Sequence, residues 1–384
     1  MRIDRLRLAD FRRVVAAEVE LAPGPNLFVG ENAQGKTTLL EAVSLLATGR
    51  SFRTHREREV VPREPRDGYE FTLAESRFEA RGVTHESRLV LSGDEKAHFL
   101  DGKLVPRLGD VWGVLNVVVF DPADLQLIQG APAHRRALLD GLLAMVSRRG
   151  LEALQSYTRA LRQRNALFRA RGRASAAEFD AYEDQMAIHA AAVLRARQSL
   201  IDDFTTRAAG QLEALAGGRE VLALRHEPGW PRAAGLPTLT AESGEAELAE
   251  ALRTMWGSSR ETDLERGHTH RGPHRGDFAI LLDGVDGRLY ASQGQARSIA
   301  LALRFAELEL IEARCGEPPI LLLDDVLGEL DRRRTEHFIR MLGRPGIQSL
   351  LTATDAAALE SGLSVAARFE VNDGAVSSAS KAAS

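Results

Sequence analysis

Cysteine occurs once, as Cys315. A single thiol closes no internal disulfide and builds no thiolate metal cluster, which excludes a disulfide-stapled secreted scaffold and a zinc-finger fold; Cys315 reads as buried filler. Lysine is nearly as scarce, with Lys36, Lys96, Lys103 and Lys381 alone. Positive charge is therefore carried by arginine, whose planar fork suits bidentate contacts to phosphate and carboxylate. Long apolar runs are missing too. Stretches such as Val117–Phe120 and Ile320–Leu323 fall far short of the ~20 residues that span a bilayer, so no transmembrane helix and no membrane partner are expected. The opening MRIDRLRLADFRR alternates charge with apolar residues and has no apolar signal-peptide core, which predicts a cytosolic chain. There is no internal repeat and no sustained heptad array, so neither a solenoid nor a long coiled coil is expected.

What remains is an ordinary globular composition. With 44% hydrophobic and 27% charged residues over 384 positions, the chain can fill two or three domain cores. The formal net charge of −4 advertises no polyanionic partner, but its distribution is uneven. Between Ala131 and Arg173 ten arginines, among them Arg135, Arg136, Arg148, Arg149, Arg162 and Arg164, face only Asp140 and Glu152, while acids gather near Glu242, Glu245, Glu247 and Glu250. One such arginine is usually a solvated helix face. A cluster suits sequence-independent contact with DNA phosphates, so those six are the candidate DNA-binding residues.

Periodicity divides the chain. Residues 1–130 read as strands of period two, a short run NLFVG, a helix ending at Gly49, and an antiparallel sheet between Tyr69 and Val105 with a type I′ turn at Asp101-Gly102. Residues 131–260 read as an inserted, mainly helical, Arg-rich lobe, including an acidic helix over Ala246–Met255. Residues 261–375 open with a loop dense in His, Arg and Gly. They continue as alternating helix (Gln295–Arg314), strand (Ile320–Leu323), helix (Arg332–Leu342) and strand (Gln348–Thr352), a parallel α/β pattern. Residues 376–384, small and polar, are expected to be disordered.

Two motifs carry phosphate chemistry. GENAQGKT, Gly30–Thr37, is a P-loop between a strand and a helix. Its backbone from Gly30 through Glu31, Asn32, Ala33, Gln34 and Gly35 to Thr38 would wrap the phosphates of ATP, Lys36 would charge-pair the terminal ones, and the Thr37 hydroxyl would reach Mg²⁺. ILLLDDVLGELD ends a buried strand in two carboxylates, with Asp324 placed to hold the metal and Asp325 to orient or deprotonate the attacking water. His270, His274 and Arg275 have no acid or cysteine at ligand spacing and read as a polar loop.

SQGQ, Ser292–Gln295, is by itself a helix N-cap. After a P-loop and before LLLDD it resembles the signature motif of the ABC ATPase superfamily, with Gln293 where many members have glycine. That resemblance implies that Ser292, Gln293, Gly294 and Gln295 of one subunit close over the γ-phosphate held by another. It also implies a communicating loop at GELD through Asp331, Thr354 at the switch-histidine position, and a Q-loop residue among Asp121, Gln126 and Gln129. LADFRR, GENAQGKTTLLEA, GRSFRT, VVFDPADLQLIQGAPAHRRALLD, HRGPHRGDF, SQGQARSIALAL and LLLDDVLGELD, in that order, resemble the RecF family of DNA replication and repair proteins across nearly the whole chain. The family implies an α/β, ABC-type ATPase head with a mixed N-terminal sheet and a helical insertion. It further implies a slow, DNA-regulated ATPase that dimerises on ATP, binds single-stranded, gapped or junction DNA, and works with RecO and RecR to load RecA. The alternative from the motifs alone is a monomeric P-loop kinase or phosphotransferase, which needs no signature serine; a structural subunit of a chromosome complex would show the heptads that are missing.

Overall fold

The computed structural model describes residues 1–54, 56–62, 71–92, 95–106, 108–169, 174–218, 220–230, 244–325, 330–356, 359 and 362–378. The chain forms two compact units, one of Met1–Asp124 with Arg304–Ser384 and one of Leu125–Leu303. The division at 125–303 is wider than the lobe expected at 131–260, and it carries Ser292 with the second unit.

In chain order the N-terminal segment contains β1 (Arg2–Phe11), β2 (Val14–Glu20), β3 (Pro25–Val29), α1 (Lys36–Thr48), β4 (Thr72–Ala80), β5 (Val83–Ser92), β6 (Glu95–Leu100), β7 (Lys103–Leu104) and β8 (Val117–Phe120). The middle segment contains α2 (Leu125–Gln129), α3 (Pro132–Val146), α4 (Arg148–Arg169), α5 (Ala176–Ala216), β9 (Leu222–Glu227), α6 (Glu245–Arg266), β10 (Asp277–Leu282), β11 (Val285–Asp286) and α7 (Gly287–Tyr290). Helix α8 (Gln293–Cys315) leads into β12 (Ile320–Asp324), α9 (Arg332–Leu342), β13 (Ser349–Ala353), β14 (Ala367–Asn372) and β15 (Ala375–Ser378).

The first unit is built on two sheets. The outer one, ordered β2-β1-β4-β5-β6-β7, is antiparallel throughout. Its β6–β7 turn has the positive φ at both Asp101 and Gly102 that a type I′ hairpin requires. The other sheet runs β15-β14-β3-β13-β12-β8, with β14, β3, β13, β12 and β8 parallel. Strands covered on both faces lose the alternation of period two, and Leu27, Phe28, Leu321, Leu322 and Leu350 are all fully buried. Helix α1 fills the space between, burying Leu39, Leu40, Val43 and Leu46 with Phe78 and Leu89. Val376–Ser378 are in β15 rather than in a disordered tail; 379–384 lie outside the described residues.

The second unit is mainly helical, as its periodicity predicts. Helix α5 starts at a capping box, in which the Ser175 side chain accepts from Glu178 N–H and Glu178 returns the bond. Its small face, Ala187, Ala190 and Ala191, lets α4 and α6 approach closely, so that Tyr157, Leu252 and Trp256 share one core with Met186 and Leu194. Helix α6 continues eleven residues past the expected Met255, to Arg266, because its last turns carry the buried Ser259 and Asp263. Arg164, 0% exposed, sits at the centre. It donates to Glu183 (3.0 Å), Asp263 (2.7 Å), Thr269 Oγ1 (2.6 Å) and the Trp256 carbonyl (3.4 Å).

Removing one member of a buried charge network strands the others. Arg164→Ala leaves Glu183 and Asp263 without their shared cation and is expected to cost about 3–5 kcal/mol of stability. The midpoint of urea denaturation checks this, and an unchanged midpoint would contradict the structural role.

Candidate nucleotide site

The site forms where the parallel strands of the first unit end. Strand β3 delivers Gly30, whose N–H donates to the Ala353 carbonyl at the end of β13 (3.3 Å). A Cβ on Gly30 would meet the Val371 carbonyl oxygen at 2.2 Å, so the backbone of β14 leaves room for glycine alone. The loop then turns through Ala33 (φ 65°) and Gly35 (φ 111°) and enters α1 at Lys36. Three contacts brace it from outside. The Gln34 carbonyl accepts from Gly374 N–H (2.9 Å), the Gln34 side chain accepts from Asp373 N–H (2.5 Å), and Arg13 donates to the Ala33 carbonyl (2.5 Å).

Lys36 is buried, with Nζ donating to the carbonyls of Gly30 (2.5 Å) and Glu31 (2.8 Å). Burial holds its pKa below the usual lysine range, against the raising effect of Asp325 and Asp324. A partly desolvated ammonium in a turn of backbone donors gains strongly from an anion. Thr37 Oγ1 donates to Asp324 Oδ1 (2.7 Å), and Thr352 Oγ1 donates to the same oxygen (2.9 Å) while accepting from Asp325 N–H (3.0 Å). Asp325 has φ 53°, a left-handed conformation that aspartate tolerates better than most residues. Lys36, Thr37, Thr352, Asp324 and Asp325 line one cleft of about 660 Å³ that also includes Arg12, Arg53 and Pro122. Arg12 is held at the rim by a bidentate pair with the fully buried Glu41, which also receives Ser51 Oγ.

The structure thus brings the P-loop residues Gly30, Glu31, Asn32, Ala33, Gln34, Gly35, Lys36, Thr37 and Thr38 together with Asp324 and Asp325. It places Thr352, rather than Thr354, at the third corner; Thr354 is exposed beyond β13. Thr352 was not singled out in the sequence, although LLTATD offers both threonines. Of the three Q-loop candidates, Asp121 lies near Asp324: burial first, then the charges of Asp124 and Asp324, push its carboxyl above the ordinary range. Gln126 and Gln129 are in α2 of the other unit. Gly328 and Glu329 lie outside the described residues, and Asp331 caps α9 by accepting from Arg334 N–H (2.9 Å).

The signature segment forms the N-cap that its sequence predicts. Ser292 Oγ accepts from Gln295 N–H (3.2 Å) and Ser292 N–H donates to Gln295 Oε1 (2.8 Å), a capping box that opens α8. Ser292 and Gln293 are nevertheless exposed, and Gln295 is tied by its other end to Glu220 (2.9 Å).

The candidate DNA-binding arginines separate into three kinds. Arg164 is buried as described, and Arg135, 4% exposed, makes a bidentate pair with Asp277 (2.8 and 2.8 Å). These two are internal cross-links, not surface contacts. Arg136 is half-buried and donates to the Gly276 carbonyl (2.8 Å). Arg148, Arg149 and Arg162 are exposed; the first two are paired with Glu152 and Glu245. Among the described residues no group of three His, Cys, Asp or Glu is placed to hold a metal, and no helix is long and apolar enough to cross a membrane.

Residues 2–377 match the family model described as RecF/RecN/SMC N terminal domain. The DNA replication and repair protein RecF of Synechococcus sp. (strain JA-2-3B'a(2-13)) is 37% identical over 373 residues, covering 96% of this chain and 95% of that one. RecF of Shouchella clausii is 34% identical over 384 residues, covering 98% and 99%. Among solved structures, the recombination mediator protein RecF with ATP, of the RecFOR pathway, superposes with a TM-score of 0.88 at 28% identity, covering 98% of this chain and 97% of that one. The Smc head domain from Pyrococcus furiosus, at 14% identity and a TM-score of 0.55 with coverage of 98% and 95%, shares the fold alone. The α/β ABC-type ATPase head expected from the motifs is the fold observed, and the chain belongs to the RecF family of DNA replication and repair proteins.

Proposed function

We propose that this chain is an ATP-driven clamp for DNA in recombinational repair and replication restart. ATP joins two copies, the joined pair holds single-stranded, gapped or junction DNA, and slow DNA-regulated hydrolysis releases it. The observation that carries the reading is Thr37 and Asp324 hydrogen-bonded in one cleft with Lys36, while an exposed signature serine opens a helix that has an anion-favouring N-terminus. The relatives' names, and the RecFOR pathway named for the ATP-bound structure, support work alongside RecO and RecR in loading RecA.

In this reading Lys36 and the loop N–H groups from Glu31 to Thr38 bind and orient the phosphates. The donor set beside them fits Mg²⁺. The Thr37 hydroxyl and the Asp324 carboxylate, with the Asp121 carboxyl near enough to feel the charge of Asp324, are an oxygen-only donor set of the kind this ion takes. Thr37 and Asp324 would hold the ion, which when bound neutralises phosphate oxygens. Asp325 orients the attacking water and accepts its proton. Ser292, Gln293, Gly294 and Gln295 of the second copy close over the γ-phosphate.

Light scattering with Mg·ATP tests this directly. Asp325→Asn is expected to trap an ATP-dependent dimer, and Lys36→Ala to weaken ATP binding by about 1.5–3 kcal/mol and abolish that dimer. Ser292→Arg is expected to bind ATP as a monomer and fail to dimerise; full turnover in Ser292→Arg would favour the monomeric phosphotransferase. A second expectation concerns Asp121. A carboxyl whose pKa is raised by folding subtracts stability where it is ionised, so the folded chain is penalised at neutral pH and relieved as pH falls. Asp121→Asn keeps an acceptor for Ala123 N–H (2.6 Å) and removes that charge. The nucleotide-free variant should melt higher than wild type at pH ~7, with the gain vanishing toward the ordinary carboxylate range near pH ~4.

A further inference from the structure

The segment HTHRGPHR, His268–Arg275, has no acidic residue, and it is a loop in name only. Several of its backbone polar groups are bonded to the helices around it. Thr269 N–H donates to Asn165 Oδ1 (2.8 Å), His270 N–H to Asp263 Oδ1 (2.9 Å) and Gly272 N–H to the Gly229 carbonyl (3.2 Å). In the other direction, Trp256 Nε1 donates to the Arg271 carbonyl (2.9 Å), Arg197 to the Pro273 carbonyl (2.8 Å) and Arg136 to the Gly276 carbonyl (2.8 Å). The holding side chains come from α3, α4, α5 and α6. Gly272 lies at φ 133°, and a Cβ there would meet Tyr157 Oη at 2.9 Å and the Trp256 ring at 3.2 Å. A loop held at these points by side chains of four helices has a surface prepared before any ligand arrives.

That surface is cationic, and its cations are guanidiniums. Two of its three histidines, His270 and His274, are committed inward. His274 Nε2 donates to the Thr269 carbonyl (3.0 Å), which leaves Nδ1 to accept from Tyr157 Oη (2.6 Å), and burial keeps the ring neutral, with its pKa at about 4. His270 is bonded to the buried Asp263. Of the other acids nearby, Asp277 is taken by Arg135 and Asp140 by Arg197. Arg275 is exposed, Arg271 is half-exposed, and among the described residues neither is paired with a carboxylate. Arg136 lies close enough to Arg197 and Arg275 to feel their charge. The committed histidines leave no metal ligand set, whereas planar forks on a rigid backbone match phosphate oxygens.

We propose that the rigid loop His268–Arg275 is a docking platform for the phosphodiester backbone of DNA, with Arg271 and Arg275 making the contacts and Arg136 reinforcing them. The assignment rests on the DNA-clamp reading and replaces the internal Arg135 and Arg164 as its contacts. It implies no base preference, since phosphate contacts carry no sequence information.

Fluorescence anisotropy with a labelled single-strand/duplex junction oligonucleotide, in Mg·ATP over a series of salt concentrations, tests it in the full chain. Arg271→Ala/Arg275→Ala is expected to weaken binding about tenfold or more and to flatten the log–log salt slope by roughly two. Arg275→Lys is expected to retain most of the affinity. Circular dichroism and ATP-dependent dimerisation of the double variant should match the parent. Unchanged affinity and slope in the double variant would overturn the platform. So would loss of ATP-driven dimerisation alongside DNA binding, which would assign these arginines to the nucleotide or the second copy instead. Failure of the wild-type chain to bind the oligonucleotide at all would instead remove the DNA-clamp reading on which the assignment stands.

Discussion

The nucleotide site depends on the register of three parallel strands. Thr352 pairs with Phe28 of β3 on one side and with Asp324 of β12 on the other, so the P-loop, the threonine and the two carboxylates leave the sheet at one level. A strand's side chains alternate with a period of two, and a slip of one residue would turn Asp324 away and bring Leu323 to Thr37. Close packing opposes the slip, because consecutive leucine, isoleucine and phenylalanine side chains of β3, β12 and β13 are buried on both faces and each would have to fit a space shaped for its neighbour. Residues 287 apart in sequence are in this way held at hydrogen-bond distance. The chemistry of the site is a property of the core beneath it.

A second constraint is the use of arginine inside the protein. Arg135, Arg164, Arg197 and Arg304 each reach carboxylates from buried or half-buried positions, and Arg12 does the same at the rim of the cleft with Glu41. Burying such pairs costs desolvation that their attraction only partly offsets. Their value is geometric: a planar fork fixes the direction as well as the distance of its partner. Arg197 joins α5 to Asp140 and to the loop carbonyl of Pro273, and Arg304 joins Asp124 to Glu307. Lysine, a compact point charge on a flexible stem, would not fix these angles, consistent with a chain that has almost none.

How much of this was legible beforehand follows from the range of each signal. The P-loop, the Asp324-Asp325 strand end and the Asp101-Gly102 hairpin are local patterns, and each was found where the sequence predicts it. The hairpin at Asp373-Gly374, with φ 44° and 79°, carries the same dipeptide as Asp101-Gly102. It was masked by the small polar residues after it, which read as a tail, yet its turn braces Gln34 of the P-loop. The fate of each arginine was not legible. Arg135 and Asp277 are 142 positions apart, and no window of periodicity spans that distance, so a cluster of like charge in sequence is divided between interior and surface on folding. Thr352 and Thr354 are both plausible from LLTATD; only the strand register, a nonlocal quantity, distinguishes them.

Ser292 shows why a bland reading and a functional one need not compete. Its hydroxyl and the Gln295 side chain satisfy each other's orphan donors, which fixes the first turn of α8 in advance. The 3.2 Å bond from Gln295 N–H is at the long end for such a contact, and a hydroxyl oxygen in that position keeps its own proton to donate. The cap therefore does not exhaust the serine. It holds the helix N-terminus, with its partial positive charge, in the geometry an anion would require, and Gln295 is itself steadied by Glu220. The ordering cost of that turn falls on folding, so that a phosphate meeting it, as the proposed function has it, would keep most of its contribution as affinity. The same logic applies to Lys36, whose contacts with the Gly30 and Glu31 carbonyls hold it in the loop it serves. In both places a structural bond falls on the group that the proposed function gives to phosphate, so that in that reading local stability and readiness for the ligand are one interaction.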